Sequence, residues 1–246
     1  IRSFKIQSGL SGYGNLLVTG SDGLYIVTVS DYHGHIELTG ASSLALRSNG
    51  TYSFGSGASV RVNSDCRIYQ SSYGANWTVP GGIMLNGGMY RQPSRGTAWS
   101  EGTPWFIESA SLMQVDGSGS GDIRGPLHGG GALRIERTSA SRRAINFRGS
   151  GSTYSNTITI AAQPTNAVLF IGTSGALPAT GPLASLRIEE SGGAKGELTI
   201  GARKIGSTVT DMPGANVKVE TLTCGGRAVP AGVYSQANPV PEEGYV

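Results

Sequence analysis

Apolar residues recur at alternate positions in short bursts, and each burst is closed by Gly, Ser or Asn. Leu24, Ile26 and Thr28 alternate with Tyr25, Val27 and Val29 in GLYIVTV. Ile36/Leu38, Leu44/Leu46 and Val60/Val62 follow. The second half repeats the pattern more cleanly, at Leu133/Ile135, Ile145/Phe147, Ile158/Ile160, Leu169/Ile171, Leu186/Ile188, Leu198/Ile200 and Val217/Val219. Alternation with a period of two over so few residues predicts short strands, each with one buried face.

No helix-period segment separates these bursts in the second half, and each supplies only two or three inward side chains. A two-layer sandwich needs longer strands and primed turns such as Asn-Gly, which this chain offers only at Asn49-Gly50 and Asn86-Gly87. A right-handed parallel β-helix accounts for the pattern better, because each inward pair stacks on the equivalent pair above and below. At roughly 20 to 28 residues per rung the chain makes about ten rungs, a rod of roughly 50 Å at the ~4.8 Å strand spacing. The expectation is an all-β chain forming a single elongated β-solenoid domain over residues 1–238, followed by a Pro-rich tail at 239–246. The segment from about 71 to 130 reads as less regular, with wider rungs and protruding loops.

Composition agrees. Glycine numbers 39 of 246 residues, and charged residues are only 14 %. That argues against helical bundles, coiled coils and charged disordered tails. Glycine at tight corners has a mechanical cause, because left-handed backbone costs least there. The net charge of +3 is spread along the chain without a run of like charge, a poor match to a nucleic-acid footprint. No apolar stretch approaches the roughly 18 residues that span a bilayer. The chain begins at Ile1 rather than Met, which fits a mature exported protein after signal-peptide removal, with a trimmed chain as the alternative.

The run from Gly119 to Ile160, with Gly130-Gly131, Leu133, Ile135, Gly151, Thr153, Tyr154, Thr157 and Ile158, resembles the autotransporter-associated β-strand repeat. The ending from Gly226 to Tyr234 is similar to the closing hook of exported bacterial β-solenoids of that type. The resemblance covers roughly residues 118–238. It implies an extracellular or cell-surface solenoid and no particular reaction. The stretch 136–143 is more charged than the family's usual turn.

Candidate chemistry is sparse. Asp31, His33 and His35 alternate in DYHGH, so on a continuous strand they share one face and are the weak metal candidates. Asp116 to Asp122 imitates the start of a calcium loop, but its twelfth position is Leu127 where a bidentate Glu is needed. The acids are scattered, and the pairs Glu189-Glu190 and Glu242-Glu243 read as a solvated strand end and a tail. No cofactor motif is present. The middle segment carries Trp77, Trp99, Trp105 and Tyr90, which either fill the core or form a carbohydrate or partner surface. Cys66 and Cys224 lie about six rungs apart on a regular solenoid, roughly 30 Å, too far for an intrachain bridge. They are either two isolated buried thiols or partners in an intersubunit disulfide between stacked copies.

The function these readings favour is a non-enzymatic exported structural or adhesive surface element, self-associating head to tail into an extracellular fibre. The alternative is a polysaccharide-active β-helix enzyme or a carbohydrate-binding module.

Overall fold

Alternating short strands bury one face only if something lies against it, and here the chain lies against itself. The computed structural model describes residues 3–234 apart from 8, 22, 47–50, 71–75, 93–95, 101, 117–118, 140–142 and 206–207. Over these residues it is a parallel β-solenoid walled by three long sheets, with two small antiparallel ribbons besides. Sheet I begins Ser3–Ile6, Gly23–Ile26, Ser43–Leu46, Arg67–Gln70 and Met89–Gln92. It continues Ser111–Val115, Leu133–Arg137, Thr157–Ile160, Ser185–Ile188 and Leu222–Cys224, with Arg227–Ala228 folded back antiparallel on its last edge. Sheet II has nine strands, from Leu10–Gly12 through Gly119–Ile123, Ile145–Phe147 and Val168–Ile171 to Glu197–Ile200. Sheet III has six, from Leu16–Val18 to Leu127–His128. Six rungs are therefore three-sided, and sheets I and II continue beyond them.

Register shows what holds the coil together. One inward column runs from Phe4 through Leu24, Leu44, Ile68, Tyr90, Met113, Ile135, Ile160 and Ile188 to Cys224. Sheet III contributes Leu16, Ile36, Val60, Ile83, Trp105 and Leu127 in the same way. Ten parallel strands at ~4.8 Å make a stack of roughly 45 Å. Between the walls a single continuous apolar cluster extends from Leu10 to Cys224. Outside one corner a polar ladder runs parallel to it: Asn63 donates to Glu37 (3.0 Å), Asn86 to Asn63 (2.9 Å) and Ser109 to Asn86 (3.2 Å).

The strands of the segment expected to be less regular coil evenly, and its stretches 71–75, 93–95, 101 and 117–118 lie outside the described residues. From Leu24 to Ile135 the column returns every 20 to 24 residues, whereas Ile188 to Cys224 takes 36. The extra length holds two antiparallel hairpins, Glu190–Ser191/Ala194–Lys195 and Ala202–Ile205/Thr208–Asp211. Val217 and Val219 alternate as a strand does and pack partly against the core, but they form no ladder. Alternation reports an extended chain with one covered face; it does not report a hydrogen-bonding neighbour.

Trp77, Tyr90 and Trp105 are core residues, the first of the two alternatives open to them. The rings meet at 5.6 Å (Trp77–Trp105) and 5.2 Å (Tyr90–Trp105), and Trp105 Nε1 donates to Ser100 Oγ at 3.1 Å. They replace aliphatic members of the inward columns, where a large ring removes more apolar area from water than Leu or Val. The backbone of Trp99 lies in the sheet II strand Gly96–Ser100; its side chain is outside the described residues, as is the tail 239–246.

Candidate functional site

The DYHGH residues sit where sheet II bends into sheet III, and they do not converge on one point. Asp31 adopts a left-handed backbone, φ 57°, and Gly34 turns the chain between the two imidazoles. His33 Nε2 meets Asp31 Oδ1 at 2.7 Å, and its ring stacks on Tyr13 at 4.6 Å. His35 Nδ1 is taken instead by Ser59 Oγ at 2.7 Å. Among the described residues no three His, Cys, Asp or Glu side chains are placed to hold a metal. The expected shared face fails because the strand is interrupted by that bend.

The Asp31 carboxylate, with the Ser56 carbonyl, raises the His33 pKa above its ordinary 6.5. A raised folded-state value means the pair stabilises the fold below the unfolded pKa, and that contribution is lost as pH rises through the folded one. Proton NMR titration is expected to place His33 above 6.5, and Asp31→Asn is expected to bring it back towards that value. An unchanged midpoint in the variant removes this pairing.

Several acids along the outer walls are engaged by arginines. Arg134 grips Glu189 with two hydrogen bonds, 2.8 and 2.9 Å, and Glu136 with a third at 2.7 Å. Arg91 holds Asp116, and Arg61 holds Glu108 at 2.6 Å. The Arg134 guanidinium keeps Glu189 below the usual carboxylate range, so Glu189 is not the solvated strand end expected of it. Glu136 and Glu189 converge on the one Arg134 guanidinium, where both carboxylates are engaged in ion pairs. The calcium-loop mimic resolves likewise: Asp116 belongs to Arg91, and Gly119–Ile123 is a sheet II strand.

Asp122 is different. It lies on the outward face of its strand, yet its side chain is 0 % exposed. Register places Asp122, Asn146 and Phe170 in one outward column. Across this face lies the hairpin Ala202–Ile205/Thr208–Asp211, whose first strand touches Val168–Ile171 and Gly119–Ile123. Ala202 closes a small apolar cluster there with Ala144, Val168 and Phe170. Asp122 Oδ2 accepts from Arg124 Nε at 2.9 Å and from Arg148 Nη1 at 3.0 Å. Beside it the hairpin's return, Thr210–Ala215, forms a cleft of about 530 Å³ with Arg148 and Gly172–Ser174. Nothing local in the sequence marks Asp122, because the segment that buries it arrives some eighty residues later.

Both cysteines are free and buried in the core. Cys66 precedes the fourth sheet I strand and Cys224 ends the tenth, about six spacings apart. Both thiols are enclosed within the coil, which favours two isolated buried thiols over an intersubunit disulfide. Burial pushes the Cys224 thiol up, away from the reactive thiolate form. Among the described residues no helix is long and apolar enough to cross a membrane. No family model, no curated protein and no solved structure matches this chain.

Proposed function

We propose that this chain is a non-enzymatic, exported structural or adhesive element of a cell surface, whose copies stack end to end. The observation that carries this reading is where apolar side chains reach water. Among the described residues the large exposed ones are Phe4, Tyr13 and Leu17 in the first rung, then Ile200, Val209 and Val233. None lies on the walls between residues 18 and 199. Phe4 heads an inward column and is 71 % exposed, and Ile200 ends one at 40 %. Each is a core position against which no further rung of the described residues lies. Ser3–Ile6, Leu10–Gly12 and Leu16–Val18 each pair on one side only, and such edges template further strands.

Sheet I finishes in an antiparallel strand, so the seam runs through sheet II. The Leu10–Gly12 edge of one copy follows Glu197–Ile200 of another, an open heterologous contact that builds filaments. The glycine-rich, weakly charged composition and the resemblance over residues 118–238 support the surface location.

Sedimentation and electron microscopy of the purified protein test this. Concentration-dependent rods are expected, and Phe4→Asp or Ile200→Asp is expected to return them to single particles. A dispersed monomer at every concentration defeats stacking. Release of unsaturated products from acidic polysaccharides defeats the non-enzymatic reading, and the cleft at Arg148 is then where the substrate is sought.

A further inference from the structure

Sheet I turns two tyrosines outward where only one small side chain separates them. Tyr25 lies between the inward Leu24 and Ile26, and register carries it through Ala45 to Tyr69. The two are therefore two strand spacings apart, roughly 10 Å along the wall. Ala45 places a single methyl group between them, so the rings lean together above it. Their centroids stand 6.3 Å apart at 90°, and the Tyr69 hydroxyl donates to the Tyr25 hydroxyl at 2.9 Å. Both residues are half-buried. Among the described residues this is the one ring contact between two tyrosines. Tyr13 stacks on His33, and Tyr32, Tyr52, Tyr90 and Tyr154 are enclosed in the core. Burial, with the hydrogen bond to Tyr25, pushes the Tyr69 phenol up to about 12, so it is protonated at neutral pH. A hydrogen bond between uncharged groups adds little net stability, but this one holds two oxidisable phenols tip to tip.

We propose that Tyr25 and Tyr69 are a modification site, coupled by a peroxide into a carbon–carbon dityrosine bond that pins the second rung to the fourth. Each phenol gives up one electron and its hydroxyl proton. The two electrons reduce the O–O bond of the peroxide, and the two protons pass to solvent. The phenoxyl radicals then join through a carbon ortho to each oxygen, two bonds from the hydroxyls that already touch. The ring hydrogens displaced at those carbons move to the oxygens, which restores both aromatic phenols. The product is lighter than the starting chain by two hydrogen atoms. Holding both partners in one molecule favours this coupling over collision between two molecules. The new bond closes a loop of the chain across three rungs and so restricts the unfolded chain. The site stands on this wall alone and is independent of end-to-end stacking.

Peroxydisulfate activated by photoexcited tris(bipyridyl)ruthenium, applied to the full chain in dilute solution, tests it. Dityrosine fluorescence is expected in the band of a single chain on a denaturing gel, which separates a bond within one chain from a bond between copies. Peptide fragmentation is expected to place that bond between Tyr25 and Tyr69. Tyr69→Phe is expected to lower the yield within single chains about tenfold, and Tyr13→Phe to leave it unchanged. Ala45→Leu keeps both phenols but wedges them apart, and a similar loss is expected. A single-chain band without dityrosine overturns the proposal. So does a bond mapped to other tyrosines, or a yield that Tyr69→Phe or a folded Ala45→Leu leaves unchanged. If Ala45→Leu does not fold, the bond mapped in the unmodified chain and the Tyr69→Phe yield decide.

Discussion

Trp105→Ala is expected to cost about 4 kcal/mol of stability, the usual range for removing a fully enclosed large aromatic. Trp105 occupies a sheet III column between Ile83 and Leu127 and touches Trp77 and Tyr90 across the coil. Its loss opens a cavity that three rungs share, and neighbouring strands cannot close it because their ladders hold them ~4.8 Å apart. In a chain of this length the midpoint of thermal unfolding is expected to fall by roughly 10 °C. Trp105→Phe keeps most of the ring and loses the bond to Ser100, so about 1 kcal/mol is expected. Calorimetry of the two variants checks the pair. Similar small losses in both place the ring outside the core.

Gly149→Ala is expected to be nearly as damaging, about 3 kcal/mol, for the opposite reason. A Cβ on Gly149 falls 1.9 Å from the carbonyl oxygen of Gly125, and one on Gly125 falls 1.8 Å from that of Thr103. The three positions stack at one corner, and the obstructing atoms are backbone, so a rotamer change cannot relieve the contact. Gly151 provides the control. It has φ 78° but nothing within 4 Å of its added Cβ, so Gly151→Ala pays only for a left-handed backbone, about 1 kcal/mol. Denaturant midpoints that rank these two variants the other way round refute the stacked corner.

Most of the architecture was legible, and the exceptions share a cause. The pairs Leu24/Ile26, Leu44/Leu46 and Leu133/Ile135 announce strands because alternation is written within four residues. Trp105 carried the same signal, alternating with Ile107 and lying 22 residues after Ile83. Read as a column, that interval places it inside. Asp31, His33 and His35 alternate too, but the bend at Gly34 separates their partners, and a strand pattern cannot report its own interruption. Glu189 found Arg134 from 55 residues away, a distance no local motif spans.

The amino-acid order by itself determined that short one-faced strands would be separated by tight glycine corners, with too little charge to remain unfolded. Which rung lies on which was decided only when the chain coiled. Contacts between rungs join residues about 22 apart along the chain yet one strand spacing apart in space. Burial of Asp122, the placement of both thiols and the exposure of Phe4 and Ile200 all follow from that stacking, because burial belongs to whatever comes to rest on a residue rather than to the residue itself.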